Sequence, residues 1–185
     1  AGVMLPILPV QILWINMTTA VLLGLMLAFE PGEKDVMKFP PRHPDAPILS
    51  GVLITRILFV SALMLAAVFS IFMWQKANGY PIEEARTVAV NLFIMIELTY
   101  LFNCRSLTKS MFTIGLFTNP WVLVGSGSMI VLQLLFTYTP FMNRIFQSAP
   151  ISAMDWALII AIAVTVYAII GLEKWLRLHV FHKAR

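Results

Sequence analysis

The chain has 185 residues, 59% of them hydrophobic and only 12% charged, with 13 Lys and Arg against 9 Asp and Glu. A charged share about half that of a soluble domain, with a mean hydropathy of +0.85, excludes an ordinary globular enzyme and defines a polytopic membrane protein. The net charge of +4 does not point to nucleic acid, because the basic residues stand at helix ends and not in an aromatic-laced patch; no nucleic-acid partner is expected.

The opening AGVMLP has neither a starting Met nor a basic stretch, so it does not read as a signal peptide. A hydrophobic run this close to residue 1 reads as a piece of a longer protein. The first predicted span covers residues 10–29. No charge interrupts it before Glu30, and at ~1.5 Å per residue it matches the ~30 Å of a bilayer's hydrocarbon. Pro6 and Pro9 precede it, where proline is tolerated. The second span, 49–74, opens near Ser50, a suitable N-cap, and carries one charge, Arg56, in its second turn. The third, 82–104, has Glu83, Glu84 and Arg86 at its flank and Glu97 inside it. The fourth, 120–139, lies in a charge-free run from Ser110 to Asn143, with Pro120 at its start and Pro140 as its stop. The fifth, 153–172, is closed by Glu173, Lys174 and Arg177. Trp74, Trp121, Trp156 and Trp175 fall at span ends, the aromatic-belt pattern. Gly125-Ser126-Gly127-Ser128 is a small-residue patch suited to close helix packing. The single cysteine, Cys104, allows no intrachain disulfide. The expected fold is all-α: residues 1–185 form one membrane domain, a polytopic bundle of five transmembrane helices.

The basic residues set an expected orientation. Lys34, Lys38, Arg42 and Arg56, then Arg105 and Lys109, then Lys174, Arg177, Lys183 and Arg185 fall on one side of the five spans. Only Lys76, Arg86 and Arg144 fall on the other. The positive-inside rule puts the loops 31–50 and 105–119 and the C-terminus in the cytoplasm, with the N-terminus outside.

Three polar positions stand out inside the spans. Asn16 and Thr19 are three residues apart and share a helix face. Neither belongs against lipid, so they either bond neighbouring helices or line a hydrated pathway. Glu97 is the one intramembrane carboxylate, with Ile94, Met95, Ile96 and Leu98 around it. At membrane depth it must be protonated, paired with a cation or wet. No P-loop, Cys/His cluster or nucleophile elbow occurs, and His43, His179 and His182 fall in loop and tail positions without converging.

One long ordered match adds to this. Pro9, Gln11, Trp14, Asn16, Thr19, Glu30 and Pro31, in LPILPVQILWINMTTAVLLGLMLAFEP, are followed by Pro40-Pro41-Arg42 in DVMKFPPRHPDAPILSG. This stretch resembles the sixth transmembrane helix and next cytoplasmic loop of type II, calcium-pump-like, cation-transporting P-type ATPases. The stretch IELTYLFNCRS resembles their eighth helix, where an I-E motif supplies an ion ligand. The resemblance covers essentially the whole chain, more weakly toward its C-terminus. It implies the sixth to tenth helices of such a pump, with Glu97 as a carboxylate ion ligand and Asn16 and Thr19 as neutral oxygen donors. Hard cations prefer such oxygens. It implies partners too: the preceding helices and cytoplasmic domains of the same pump, the bilayer, and a transported cation. ATP and Mg would serve the full-length pump, with no cofactor in this segment, which alone is not expected to hydrolyse ATP. An integral plasma (inner) membrane location is expected. One departure matters: the family's Asp after the Asn-x-x-Thr pattern is replaced here by Ala20. The rival readings are a freestanding five-helix channel or accessory subunit, and a pure scaffold in which Glu97 is only packed.

Overall fold

A computed structural model of the chain describes residues 4–32, 49, 51–105, 115, 118–177 and 179. Among the described residues the secondary structure is helical throughout. Helix α1 spans Pro9–Leu27, α2 Gly51–Ala77, α3 Ile82–Cys104, α4 Pro120–Tyr138, α5 Pro140–Phe146 and α6 Ala153–Leu176. All but the short α5 are long and apolar enough to cross a membrane, which gives the five expected spans. Of the positions singled out in the sequence, Lys34, Lys38, Pro40-Pro41-Arg42, His43, Ser50, Lys109, His182, Lys183 and Arg185 lie outside the described residues.

The helix ends are built from local chemistry. Pro9 opens α1, and the Leu8 N–H donates to Gln11 Oε1 at 2.9 Å. The Asn119 side chain accepts from the N–H groups of Trp121 and Val122 to start α4. Ser152 and Asp155 form a reciprocal capping box at the start of α6. The tight turn between α2 and α3 needs Gly79, whose φ of 81° is left-handed. Helix α6 runs past the expected stop at Leu172, because Glu173 and Arg177 sit one turn apart and Lys174 tucks inward, 6% exposed.

Helix α3 is the centre of the bundle. Of its most apolar stretch 61% is buried, against 22% for α1 and for α2. One side of α3 joins Val60, Val68 and Phe72 of α2 and Ile159 and Val166 of α6 in a core around Val88, Leu92 and Ile96. The other side, with Val90, Ile94 and Leu98, packs on Ile15 and Leu23 of α1 and Met129 and Phe136 of α4. Between apolar helices in lipid, such packing is driven by close fit more than by exclusion of water.

Helix α1 is not uniform. Its α-helical part ends at Thr19, residues Ala20–Gly24 form a π-helical turn, and Leu25–Leu27 resume the α-helix. Helix α4 crosses at this turn. A Cβ on Gly125 would fall 2.1 Å from the Leu22 carbonyl oxygen, so the small-residue patch does bring two backbones together there. Gly127 has open space around it.

Candidate functional site

Helix α1 carries most of the ordered motif, and its side chains divide by task. Gln11 is fully buried; besides capping α1 it donates from Nε2 to the Phe146 carbonyl of α5 at 2.9 Å. Trp14 stacks on Phe136 and meets Phe146, with ring centroids 5.9 Å and 5.1 Å away. Thr18 turns its hydroxyl back to the Trp14 carbonyl at 2.8 Å. These groups hold the helix in place. Asn16 and Thr19 are left for other work.

Thr19 closes the α-helical part of α1, immediately before the π turn, and its Oγ1 donates to the Ile15 carbonyl at 2.9 Å. The same hydroxyl interacts with the Glu97 side chain of α3. Glu97 is half-buried, and its Oε2 is buried with no hydrogen-bond partner among the described residues. A carboxylate oxygen held at membrane depth in this way must be met by a proton, a cation or a polar group from elsewhere. Thr19 and Glu97 are therefore brought together. Asn16 is not joined to them: it is exposed on the surface of the described residues, as is Ala20, and no hydrogen bond links it to Glu97. Counted from the helix starts, Glu97 lies deeper than Thr19. The structure closes this offset by register, since Arg86 of α3 donates to the carbonyl of Leu5, ahead of α1. Helix α3 thus begins about one and a half turns further out than α1, ~8 Å at 1.5 Å per residue, which matches the offset between Thr19 and Glu97 counted from Pro9 and Ile82.

No group of three or more His, Cys, Asp or Glu side chains gathers at one point among the described residues. One carboxylate with hydroxyl and amide oxygens is a partial shell for a hard cation, which takes six or more oxygens as calcium or about six as magnesium. The orphaned Glu97 oxygen beside Thr19 fits such a shell, and completing it requires donors from outside the described residues.

Sequence reasoning missed a second polar cluster at the exit of α1. Arg105 grips Glu30 from Nε, 3.0 Å from each carboxylate oxygen, and from Nη2 at 2.7 Å. Asn119 adds its Nδ2 to Glu30 Oε2 at 2.9 Å. Arg105 Nη1 also donates to the Gly115 carbonyl at 2.9 Å. The ends of α1 and α3 and the start of α4 are thereby tied at one point. Burial pushes the Glu30 carboxyl up, but the hydrogen bonds from Arg105 and Asn119 and the charge of Arg105 outweigh it and hold the group below its ordinary value. The only sequence signal was the Glu-Pro exit itself. Arg56, Arg105 and Lys174, counted above as loop and tail charges, are all buried: 4%, 7% and 6% exposed.

Comparison with known proteins bears on what this arrangement serves. Residues 4–176 match the family described as "Cation transporting ATPase, C-terminus". The chain is 49% identical over 175 residues to the "Probable cation-transporting ATPase F" of Mycobacterium tuberculosis, covering 95% of this chain and 19% of that protein. It is 32% identical to the mouse "Calcium-transporting ATPase type 2C member 2", over 91% of this chain and 18% of the relative. It is also 32% identical to the "Cation-transporting ATPase pma1" of Synechocystis, over 83% of this chain and 18% of the relative. The chain belongs to the C-terminal transmembrane family of the cation-transporting P-type ATPases. It spans about a fifth of the length of the curated relatives it matches. That membership favours a pump segment over a freestanding channel or accessory subunit.

Proposed function

We propose that the chain is the part of an ATP-driven cation pump that lines one side of the ion pathway. Glu97 supplies its carboxylate, and Asn16 and Thr19 supply neutral oxygens. One observation carries this reading: a buried Glu97 oxygen without a hydrogen-bond partner among the described residues, beside the Thr19 hydroxyl. On insertion scales a charged side chain at a helix centre costs about 2.5 kcal/mol or more. A carboxylate at that depth can hold a cation when ionised and a proton when not, and an alternation between the two suits transport. Asn16 and Ala20 are exposed on the described residues, which leaves them open to further donors from preceding helices of the same pump. ATP, Mg and the phosphorylated aspartate belong to cytoplasmic domains of that longer protein, which sits in the plasma membrane with loop 31–50 inside. Calcium is the ion in the mouse relative's name. With Ala20 in place of an aspartate, the site proposed here holds fewer or less highly charged ions.

Ion-stimulated ATPase of the full-length protein tests this. Glu97→Gln is expected to raise the half-saturating ion concentration at least tenfold, and Ala20→Asp to move preference or stoichiometry toward divalent cations. If both variants behave as wild type, these residues are packing and the ligands lie elsewhere. The 185-residue chain by itself is expected to form no phosphoenzyme from radioactive ATP.

A further inference from the structure

At the end of the bundle where α2 begins and α6 finishes, the two helices part around a groove of about 710 Å³, the size of a small-molecule site. Its inner walls are apolar, formed by Val52, Phe59, Ile169 and Leu172, while Arg56, Glu173 and Arg177 line the same groove. Phe59 lies eight residues along α2 from Gly51, and Ile169 eight residues back from Arg177. The slot therefore extends ~12 Å along the helices at ~1.5 Å per residue, with Arg56 and Glu173 partway along it.

The charged groups are incompletely satisfied. Arg56 uses Nη2 to reach Asn103 Oδ1, and its guanidinium lies 5.8 Å over the Tyr100 ring. Its Nε and Nη1 have no hydrogen-bond partner among the described residues, nor do Nη2 of Arg177 and Oε2 of Glu173. Arg177 and Glu173 stand 3.3 Å apart, in an orientation that leaves Arg177 Nε without a hydrogen bond. Lys174, behind them, donates to the Asn103 carbonyl at 3.3 Å. Buried guanidinium N–H groups without a partner among the described residues, on residues that line an apolar slot, call for an anion with several acceptor oxygens. The unpartnered carboxylate oxygen beside them calls for a donor. A free phosphate would leave the apolar length of the slot unfilled.

We propose that this groove binds one phospholipid with a primary-amine headgroup: its phosphate on Arg56 and Arg177, its ammonium on Glu173, an acyl chain along Phe59 and Ile169. The proposal requires only that α2 and α6 stand in a bilayer, so it is independent of the ion-pathway reading.

The test uses the full-length pump, delipidated in detergent and read by native mass spectrometry. It is titrated with phosphatidylethanolamine, phosphatidylcholine, phosphatidylglycerol and inorganic phosphate. One phosphatidylethanolamine is expected to bind at least tenfold tighter than phosphatidylcholine, whose quaternary ammonium cannot donate to Glu173, and inorganic phosphate is not expected to displace it. Because Arg56→Gln also breaks the bond to Asn103, the variants that decide are Arg177→Gln and Phe59→Trp. Each should weaken the bound lipid at least tenfold, while Glu173→Gln should erase the preference for the primary amine. Undiminished binding in these variants overturns the proposal. So does phosphatidylglycerol binding as tightly as phosphatidylethanolamine, displacement by inorganic phosphate, or a protein subunit seated in the groove instead of lipid.

Discussion

Arg105 is fully buried as a side chain and Glu30 nearly so, 17% exposed, so neither group of this pair is easily replaced by water. Glu30→Gln leaves the guanidinium facing a neutral amide and should cost about 2 kcal/mol, between the loss of a hydrogen bond and the loss of a buried ion partner. The effect has a pH signature. The folded carboxyl titrates below its ordinary 4.5, so the pair stabilises the protein fully above that value and loses its contribution as pH falls through the folded value. Thermal unfolding in detergent should show the wild type well above Glu30→Gln at pH 7, with the gap closing as the pH is taken below 4.5 and through the lowered folded value. A gap that stays constant with pH would remove Glu30 ionisation from the explanation. At this scale the sequence was only partly legible. Asn16, Thr19 and Glu97 stood out because polar groups in an apolar run are costly. The pairings of Arg56 and Arg105 did not, because their partners Asn103 and Glu30 lie 47 and 75 residues away, and no local pattern reveals which charges meet.

The π turn is the feature of α1 that matters most among the elements. A π turn holds one residue more than an α-helical turn, so it shifts everything after it by about 100° and one residue rise. Thr19 on one side and Glu30 on the other reach their partners with that extra residue present. Deleting Val21, exposed on the turn, restores α-helical winding with both ends still in register, and the variant should stay folded within about 1 kcal/mol. Deleting Leu13 from the regular part should instead swing Gln11 and Trp14 away from Phe146 and Phe136 and unfold the segment. Retained yield and melting temperature after size exclusion distinguish the two. The contact with α4 gives a sharper contrast. Gly125→Ala drives a methyl into the Leu22 carbonyl and should cost about 3 kcal/mol, at the upper end for overpacking. Gly127→Ala meets open space and should lie within about 0.5 kcal/mol of wild type. Spans and small-residue patch were readable beforehand, because length, apolarity and proline punctuation act locally. The π turn was not, because residues 20–24, AVLLG, read as ordinary helix, and only the approach of Gly125 marks them.

At the scale of the molecule, the orientation rests on charge. A single cysteine placed at Pro44, in a background where Cys104 is serine, should resist an impermeant thiol reagent applied to intact cells and react after permeabilisation. Labelling from outside would invert the topology. The membrane class was legible from composition, and the five helices from the apolar runs and the charges and prolines that bound them. That α3 would be the shared wall between two packed halves was not, since its polar residues Thr87, Asn91, Glu97 and Asn103 make it look the least suited to a membrane. That has a consequence for how the protein is made. A helix whose stability comes from neighbours, and which carries a carboxylate, is a poor candidate for entering the bilayer by itself as it leaves the ribosome. Helix α2, with 22% of its stretch buried against 61% for α3, is suited to partition unaided. In a glycosylation-reporter assay of isolated segments, α2 should insert efficiently and α3 poorly, with Glu97→Leu raising the α3 fraction severalfold. Helix α3 would then enter only once a neighbour is there to receive it, which makes the order of synthesis part of the information that shapes the bundle.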